Sequence, residues 1–456
     1  MKWGLDNFRR RSYRQYRGYY VMRRWIVRRV GRVGVLILGC TIVLAMFGLD
    51  TNLTVAYQAL SLMLVLILVA LLTRRLAKTK FSAHRILPRF ASAGSPVKYR
   101  VRFKNLGRFT VRDVGLLEEL SDPRPTLDEF LATPEPGEEK RNWFDRTYGF
   151  YRWQWLVDIN QRAIVTEGKV DRCLPKAAVE VEMELLPRRR GVLHFEKMIA
   201  TSMDPLGIFR QLSPVTLPDK LLILPKRYAI PHFALPGTMR YQQGGVALAA
   251  SVGESEEFVS LRDYRPGDPM RHIHWKSWAR SGKPIVKEFQ DEFFVRHALI
   301  LDTFDTVAYS EQFEEAVSVA ASFACTIQTQ DSLLDLMFVG AQAYCFTAGR
   351  GLAHTEQMLE ILASVNLCQT KGFKSLANVV VEHIPVVSGC ICVLLKWDEP
   401  RKEFIQMLRG LNVPVVVFIV TEKNAAKIMD LGPMADIPAQ FHQLEVGKVE
   451  EALRAL

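Results

Sequence analysis

Hydrophobic and polar positions divide the 456-residue chain into three regimes. The first is continuous: residues 33–49 and 56–72 are apolar runs of 17 residues each, without one charged side chain. As helices they would be about 26 Å long, at the short end of what crosses a bilayer. Residues 50–55 join them with no Lys or Arg, and arginines crowd both outer flanks. That asymmetry predicts a transmembrane hairpin with both termini on the cytoplasmic side. The second regime, residues 91–225, has period two. Val97, Tyr99, Val101 and Phe103 alternate with Lys98, Arg100, Arg102 and Lys104, and Val179, Val181, Met183 and Leu185 with Glu180, Glu182 and Glu184. Each reads as a strand with one buried face. Their solvent faces carry opposite charge, so the two are expected to be antiparallel neighbours in a small β-sandwich.

Residues 122–172 interrupt that pattern and gather Trp143, Phe144, Tyr148, Phe150, Tyr151, Trp153 and Trp155. The insertion is expected to cover an open edge of the sandwich, and a contact surface for a partner or the bilayer is the alternative. From residue 293 the third regime alternates apolar strands (297–301, 333–339, 390–395, 413–420) with helices (310–328, 354–364, 401–411). Such alternation predicts a mostly parallel sheet covered on both faces.

Between the second and third regimes, residues 226–292 are dense in Arg, His, Trp and acids. Tyr264-Arg265-Pro266-Gly267 reads as a turn, Asp268 as a helix N-cap and Pro269 as the first residue of a helix over 269–279. On that helix Arg271, Trp275 and Trp278 would share a face, and His272 and His274 would diverge. Gly253, Glu257, Phe258, Leu261, Arg262, Tyr264, Pro266, Gly267, Asp268, Arg271, Ile273, Trp275, Ala279, Arg280, Gly282 and Glu288 together resemble the signature of a bacterial membrane-anchored family, domain of unknown function fifty-eight. The resemblance implies a protein of the bacterial inner membrane with cytoplasmic soluble domains and a von Willebrand A-like α/β (Rossmann-like) C-terminal domain. It also implies work beside MoxR-type AAA+ ATPases, and it brings no established catalytic activity.

The expected fold is therefore multidomain: a basic cytoplasmic segment (1–32), two transmembrane helices (33–72), a β-sandwich (91–225) with its insertion, the signature segment (226–292) and the α/β domain (293–456). Charge sharpens this division. Residues 1–90 hold 17 Lys+Arg against two acids, whereas residues 91–456 hold 43 against 46. The net +12 thus belongs to the anchor, as in a membrane protein, and not to a folded nucleic-acid-binding domain. The first 32 residues, rich in Arg and Tyr, are either a segment held on anionic lipid or a bare topology signal. Seven scattered cysteines without a CxxC pair suit buried, reduced thiols.

Candidate chemistry is sparse. The loop Asp302-Thr303-Phe304-Asp305-Thr306 resembles the Asp-x-Ser-x-Ser metal motif of von Willebrand A domains, with Phe304 where a hydroxyl is expected. Asp302 and Thr306, with Asp398 as third ligand, could hold Mg²⁺ through oxygens. His272-x-His274 lacks a partner at zinc spacing, and a hydrolase using either His is a further alternative. In the signature segment Arg262, Arg271 and Arg280 are expected to pair with Glu257, Asp268 and Glu288, and part of that surface to receive a partner. The leading expectation is a non-enzymatic adaptor or scaffold engaging a MoxR-type ATPase or other membrane proteins. A cation-dependent protein-binding module comes second.

Overall fold

The computed structural model describes residues 2–48, 54–73, 78–231, 258–268, 270–289, 295–307, 309–327, 332–340, 342–348, 352–426, 428 and 430–456. The chain forms two compact units, Met1–Lys226 and Arg227–Leu456.

Unit 1 begins with three helices, α1 (Lys2–Arg29), α2 (Arg32–Gly48) and α3 (Thr54–Thr73). Within α3, Val55–Thr73 is long and apolar enough to cross a membrane, and Arg32–Met46 is a shorter apolar helix. Ile37 and Leu38 of α2 lie with Leu66, Ile67 and Ala70 of α3 in one cluster. The start of α2 thus packs on the end of α3, so the two helices run antiparallel.

The sandwich strands are β1 (Phe81–Ile86), β2 (Phe90–Ser92), β3 (Val97–Asn105), β4 (Val111–Leu120), β5 (Ala163–Val165), β6 (Gly168–Cys173), β7 (Ala178–Pro187), β8 (Gly191–Met203) and β9 (Arg210–Leu224). They form sheets of order β1-β3-β7-β5 and β2-β9-β8-β4-β6, which share one core. β3 and β7 are antiparallel neighbours, with Arg100 opposite Glu182 and Arg102 opposite Glu180. The ion pairs anticipated from the alternating charges form, Lys98 to Glu182 at 2.7 Å and Arg102 to Glu180 at 3.1 Å. Arg85, which sequence groups with the basic flank of the spans, is instead buried in the sandwich. Its guanidinium holds both oxygens of Glu118 (3.0 and 2.7 Å) and lies 4.5 Å from the centre of the Phe195 ring.

The aromatic insertion departs from expectation. It folds as α4 (Leu127–Ala132), α5 (Trp143–Tyr148) and α6 (Phe150–Asn160), and its core partner is α1, not a sheet edge. Phe130, Trp153 and Leu156 close around Tyr13, whose hydroxyl donates to the Pro125 carbonyl (3.1 Å). Arg9 of α1 reaches Glu138, which also accepts two bonds from the buried Arg152. The basic N-terminal segment is therefore a docked helix. Its last turns reach the sandwich as well, where Arg24 and Arg28 pair with Glu119.

Unit 2 carries a β-ribbon of β10 (Phe258–Asp263) and β11 (Ile285–Phe289) with the short helix α7 (Trp275–Ser281) between them. The α/β body follows: β12 (Val295–Leu301), α8 (Glu311–Ile327), β13 (Ser332–Val339), β14 (Ala343–Ala348), α9 (Leu352–Ser364), α10 (Lys374–His383), β15 (Gly389–Leu394), α11 (Glu399–Gly410), β16 (Val415–Thr421), β17 (Phe441–Glu445) and α12 (Val449–Arg454). Its sheet has order β14-β13-β12-β15-β16-β17, parallel except for the edge strand β14. α10 and α11 pack on one face through Leu376, Val380, Phe404 and Leu408. On the other face Phe323 of α8 meets Phe418 at 4.9 Å. The segment sequence sets apart as 226–292 begins as part of this unit, because the Tyr228 amide donates to Ser322 of α8 (2.8 Å) and its hydroxyl to Glu315 (2.5 Å).

Candidate functional site

The signature residues build a surface knob on the ribbon. The turn after β10 places Gly267 at φ +107°, a left-handed conformation that glycine adopts without strain. That turn brings Asp268 back onto Arg262, which grips both carboxylate oxygens in a fork of 2.7 and 2.8 Å. The Arg265 amide donates to the same carboxylate at 2.8 Å. The fork with Arg262, aided by the Arg265 amide, pulls the Asp268 carboxyl down from 3.8 to about 2. Asp268 is therefore not a helix cap. Tyr264 continues the ribbon through its amide, which donates to the Pro284 carbonyl (3.0 Å).

The predicted helix over 269–279 is broken in the structure. Met270–His272 make a single 3₁₀ turn, and Ile273, buried, bridges Val286 of β11. The His274 amide donates to the Ile285 carbonyl at 2.8 Å, and only then does α7 begin. Burial of Ile273 against the ribbon outweighs the N-terminal signals, which mark a turn here and not the start of a continuous helix. Arg271 consequently lies in the 3₁₀ turn and not on one helix with Trp275 and Trp278, and its Nε lies 3.3 Å from His272 Nε2. His274 sits at the head of α7 with Nδ1 2.6 Å from the Ser277 hydroxyl. Trp275 and Trp278, one helical turn apart, stack with ring centres at 5.1 Å and planes 21° apart, and Trp275 is 60% exposed. Arg280 is exposed at the end of α7. Of the expected Arg–acid network, Arg262 with Asp268 is realised. Glu288 lies in β11 opposite Ser260, while Gly253, Glu257 and Pro269 fall outside the described residues.

A second constellation lies where the strand order of the α/β sheet reverses, at the carboxyl ends of β12 and β15, the usual place for a ligand crevice in such sheets. Asp302 is fully buried there. Its oxygens accept the amides of Phe304 (3.0 Å) and Leu395 (3.1 Å) and two guanidinium bonds from Arg401, Nε at 2.9 and Nη2 at 3.2 Å. The third nitrogen of Arg401 binds Asp398 at 2.6 Å, and Nη2 also reaches the Phe304 carbonyl. Burial alone would lower the pKa of Arg401, and its bonds to the two aspartates hold it above the ordinary value. Asp302 and Asp398 are thus brought together as sequence predicts, with a guanidinium between them. Thr306 stands apart: it is exposed, its amide on Asp305 (2.7 Å) and its carbonyl accepting Gln369 (3.3 Å). Among the described residues no three His, Cys, Asp or Glu side chains are placed to hold a metal ion. Arg401 escaped sequence reasoning, although one signal was present. A basic residue in the first turn of a helix opposes the macrodipole and needs carboxylates to offset it.

Residues 260–388 match a family described as "Protein of unknown function DUF58". That segment is similar to DUF58 domains. It begins in β10 and runs through the knob into the α/β body, so both constellations begin within it. The chain is also 28% identical over 190 residues to "Uncharacterized protein YeaD" of Bacillus subtilis (strain 168), which covers 41% of this chain and 46% of that protein, so under half of that relative's length is matched. Among solved structures, similarity extends to the CARDB domain of the PF1109 protein from Pyrococcus furiosus (TM-score 0.17, 11% identity, 32% of this chain, 90% of that one). It extends also to the ASH/PapD-like domain of human CEP192 (TM-score 0.16, 15% identity, 32% and 85%). At such scores neither carries an argument about this protein.

Proposed function

We propose that this DUF58-containing chain is a non-enzymatic adaptor, tethered to the bacterial cytoplasmic membrane by α2 and α3 as a two-pass anchor. Both soluble units would face the cytoplasm and act with a MoxR-type AAA+ ATPase in protein maturation or complex assembly. The observation that carries this reading is the stacked Trp275–Trp278 pair, with Trp275 60% exposed and Trp278 half-buried, on the same ribbon whose turn the Arg262–Asp268 fork closes. Trp275 presents most of its indole to solvent, and Trp and Arg are favoured anchors at protein interfaces. The long basic excess before residue 90 and the apolar α3 support the anchor. The sheet order, with one antiparallel edge strand, supports the von Willebrand A-like reading of the α/β body.

The test is capture of the ATPase from a bacterial lysate by the full chain in nanodiscs, with nucleotide present, comparing wild type with Trp275→Ala. Trp275 is mostly exposed, so the substitution should leave the melting temperature almost unchanged while capture falls at least about tenfold, as for an interface anchor. Equal capture by both proteins would remove the knob from the proposal, and no capture by wild type would remove the ATPase.

A further inference from the structure

The turn between β8 and β9, Asp204-Pro205-Leu206-Gly207, leads into Ile208 and Phe209, which pack in one cluster with α2 and α3, while Pro205 and Leu206 at its tip are exposed. The Ile208 carbonyl accepts the Gly31 amide at 2.9 Å, and Phe209 pairs with Val30 in an isolated bridge. The fit is close enough to dictate glycine at two positions. A Cβ on Gly31 would come within 2.6 Å of the Gly207 carbonyl oxygen, and one on Gly34 within 2.2 Å of that of Ile208. The Ile208 side chain is buried in a cluster with Ile37 and Leu38 of α2 and Leu66, Ile67 and Ala70 of α3. On a rise of 1.5 Å per residue, those α3 residues lie about 4–10 Å inside the end of the helix at Thr73.

We infer that this turn is a third membrane element, its tip seated in the headgroup–acyl boundary of the bilayer with Leu206 and Met203 facing lipid. The inference rests on reading α2 and α3 as spans. Given that, a turn wedged at the first residues of α2 stands at the level where the apolar part of the bilayer begins. Leu206 and Met203 are left exposed at that level, although Ile208 and Phe209 beside them are buried. An apolar tip at that level suits contact with acyl chains. The acid in the turn does not oppose the placement, because Asp204 is folded inward, buried, and accepts the Ile208 amide at 2.8 Å. Arg29, Arg32 and Arg210 lie next to these residues in sequence and suit the phosphate layer. The consequence is mechanical: the sandwich is held at the membrane by the hairpin and the two helix ends together, and not by a swinging tether.

Spin labels decide it. Leu206→Cys and Met203→Cys, each made in the full chain with the exposed Cys40 and Cys345 replaced by Ser, go into nanodiscs of phosphatidylcholine and phosphatidylglycerol. Collision with oxygen is then compared with collision with a water-soluble nickel chelate. Leu68→Cys on the exposed side of α3 serves as the lipid reference, and Phe109→Cys, 84% exposed in the β3–β4 turn, as the aqueous one. The expected result is an oxygen-to-nickel ratio at Leu206 several-fold above that at Phe109 and close to that at Leu68. A ratio like that of Phe109, or protection from both reagents, overturns the inference while leaving the spans intact. An aqueous ratio at Leu68 would remove the spanning reading itself, and the inference with it. Met203→Cys supplies the same measurement should Leu206→Cys fail to fold.

Discussion

Two arginine–aspartate forks in the second unit use the same chemistry to opposite ends. In the α/β body Arg401 and Asp302 are almost wholly enclosed, with side-chain exposures of 6% and 0%. In the knob Arg262 and Asp268 are only partly covered, at 36% and 15%. The buried fork ties residues far apart in sequence: α11 to the end of β12 and, through the Leu395 amide, to β15. The partly exposed fork ties two residues only six apart in sequence and closes the turn between them. Burial, not the pairing itself, decides whether such a contact holds the fold or presents a face. Removing one partner of an enclosed pair leaves a buried charge without its counter-ion and out of reach of water, whereas a partly open pair loses little when water takes its place.

The largest effect expected from that contrast follows loss of the enclosed cation. Arg401→Leu should destabilise the α/β unit by about 3–5 kcal/mol, the usual cost of stranding a buried carboxylate. Calorimetric unfolding measures it, and adding Asp302→Asn to Arg401→Leu should recover part of the loss. The same experiment run with Mg²⁺ or Mn²⁺ tests the cation-binding alternative for Asp302, Thr306 and Asp398. With Arg401 supplying the positive charge, wild type should show no cation-dependent rise in melting temperature. A rise that disappears in Asp302→Asn would favour the metal after all, and would require Arg401 to swing away.

How far sequence reaches differs between these regions for a physical reason. Alternation within β3 and β7 announces both the strands and their pairing, because the side chains that pair, such as Arg102 and Glu180, sit on the face that each strand's own period exposes. The apolar runs of β12, β15 and β16 and the amphipathic α8 are legible on the same grounds, since burial there follows the period of one element. The contacts that escaped are those with no local period. Tyr13 meets Pro125, Asp302 meets Arg401, and Ile273 meets Val286, and in none of them does the period of either element point to the partner side chain. The last of these broke the helix expected over 269–279, and with it the expectation that Arg271 and Trp275 share a face. The packing of the insertion is illegible for a similar reason. Its aromatics do cover something, but what they cover is α1, which precedes them by more than a hundred residues.

A smaller effect is expected at the open fork. Arg262→Gln keeps a hydrogen-bond donor but loses the bidentate grip on Asp268, so global unfolding should shift hardly at all. What should change is the knob. The turn at Pro266 and Gly267 loosens, tryptophan emission from the stacked pair broadens, and capture of the partner falls as it does for Trp275→Ala. A loss of overall stability approaching that of Arg401→Leu would mean that this fork holds the fold too, and the contrast drawn above would fail.

The finest distinction is a titration. Asp268 has its carboxyl held near 2 in the folded knob against an ordinary value of 3.8, chiefly by Arg262 and the Arg265 amide. A depressed carboxyl contributes stability that is fully present above its unfolded value and is lost as pH falls through the folded one. The knob should therefore keep its shape down to about pH 4 and loosen between there and about pH 2, with little change near neutrality. The carboxyl carbon of Asp268, followed by NMR in aspartate-labelled protein and assigned with Asp268→Asn, should titrate well below the exposed aspartates. In Arg262→Gln the same signal should move back towards 3.8. If it titrates near 4 in wild type, the fork is not populated in solution, and the support proposed for the Trp275–Trp278 pair goes with it.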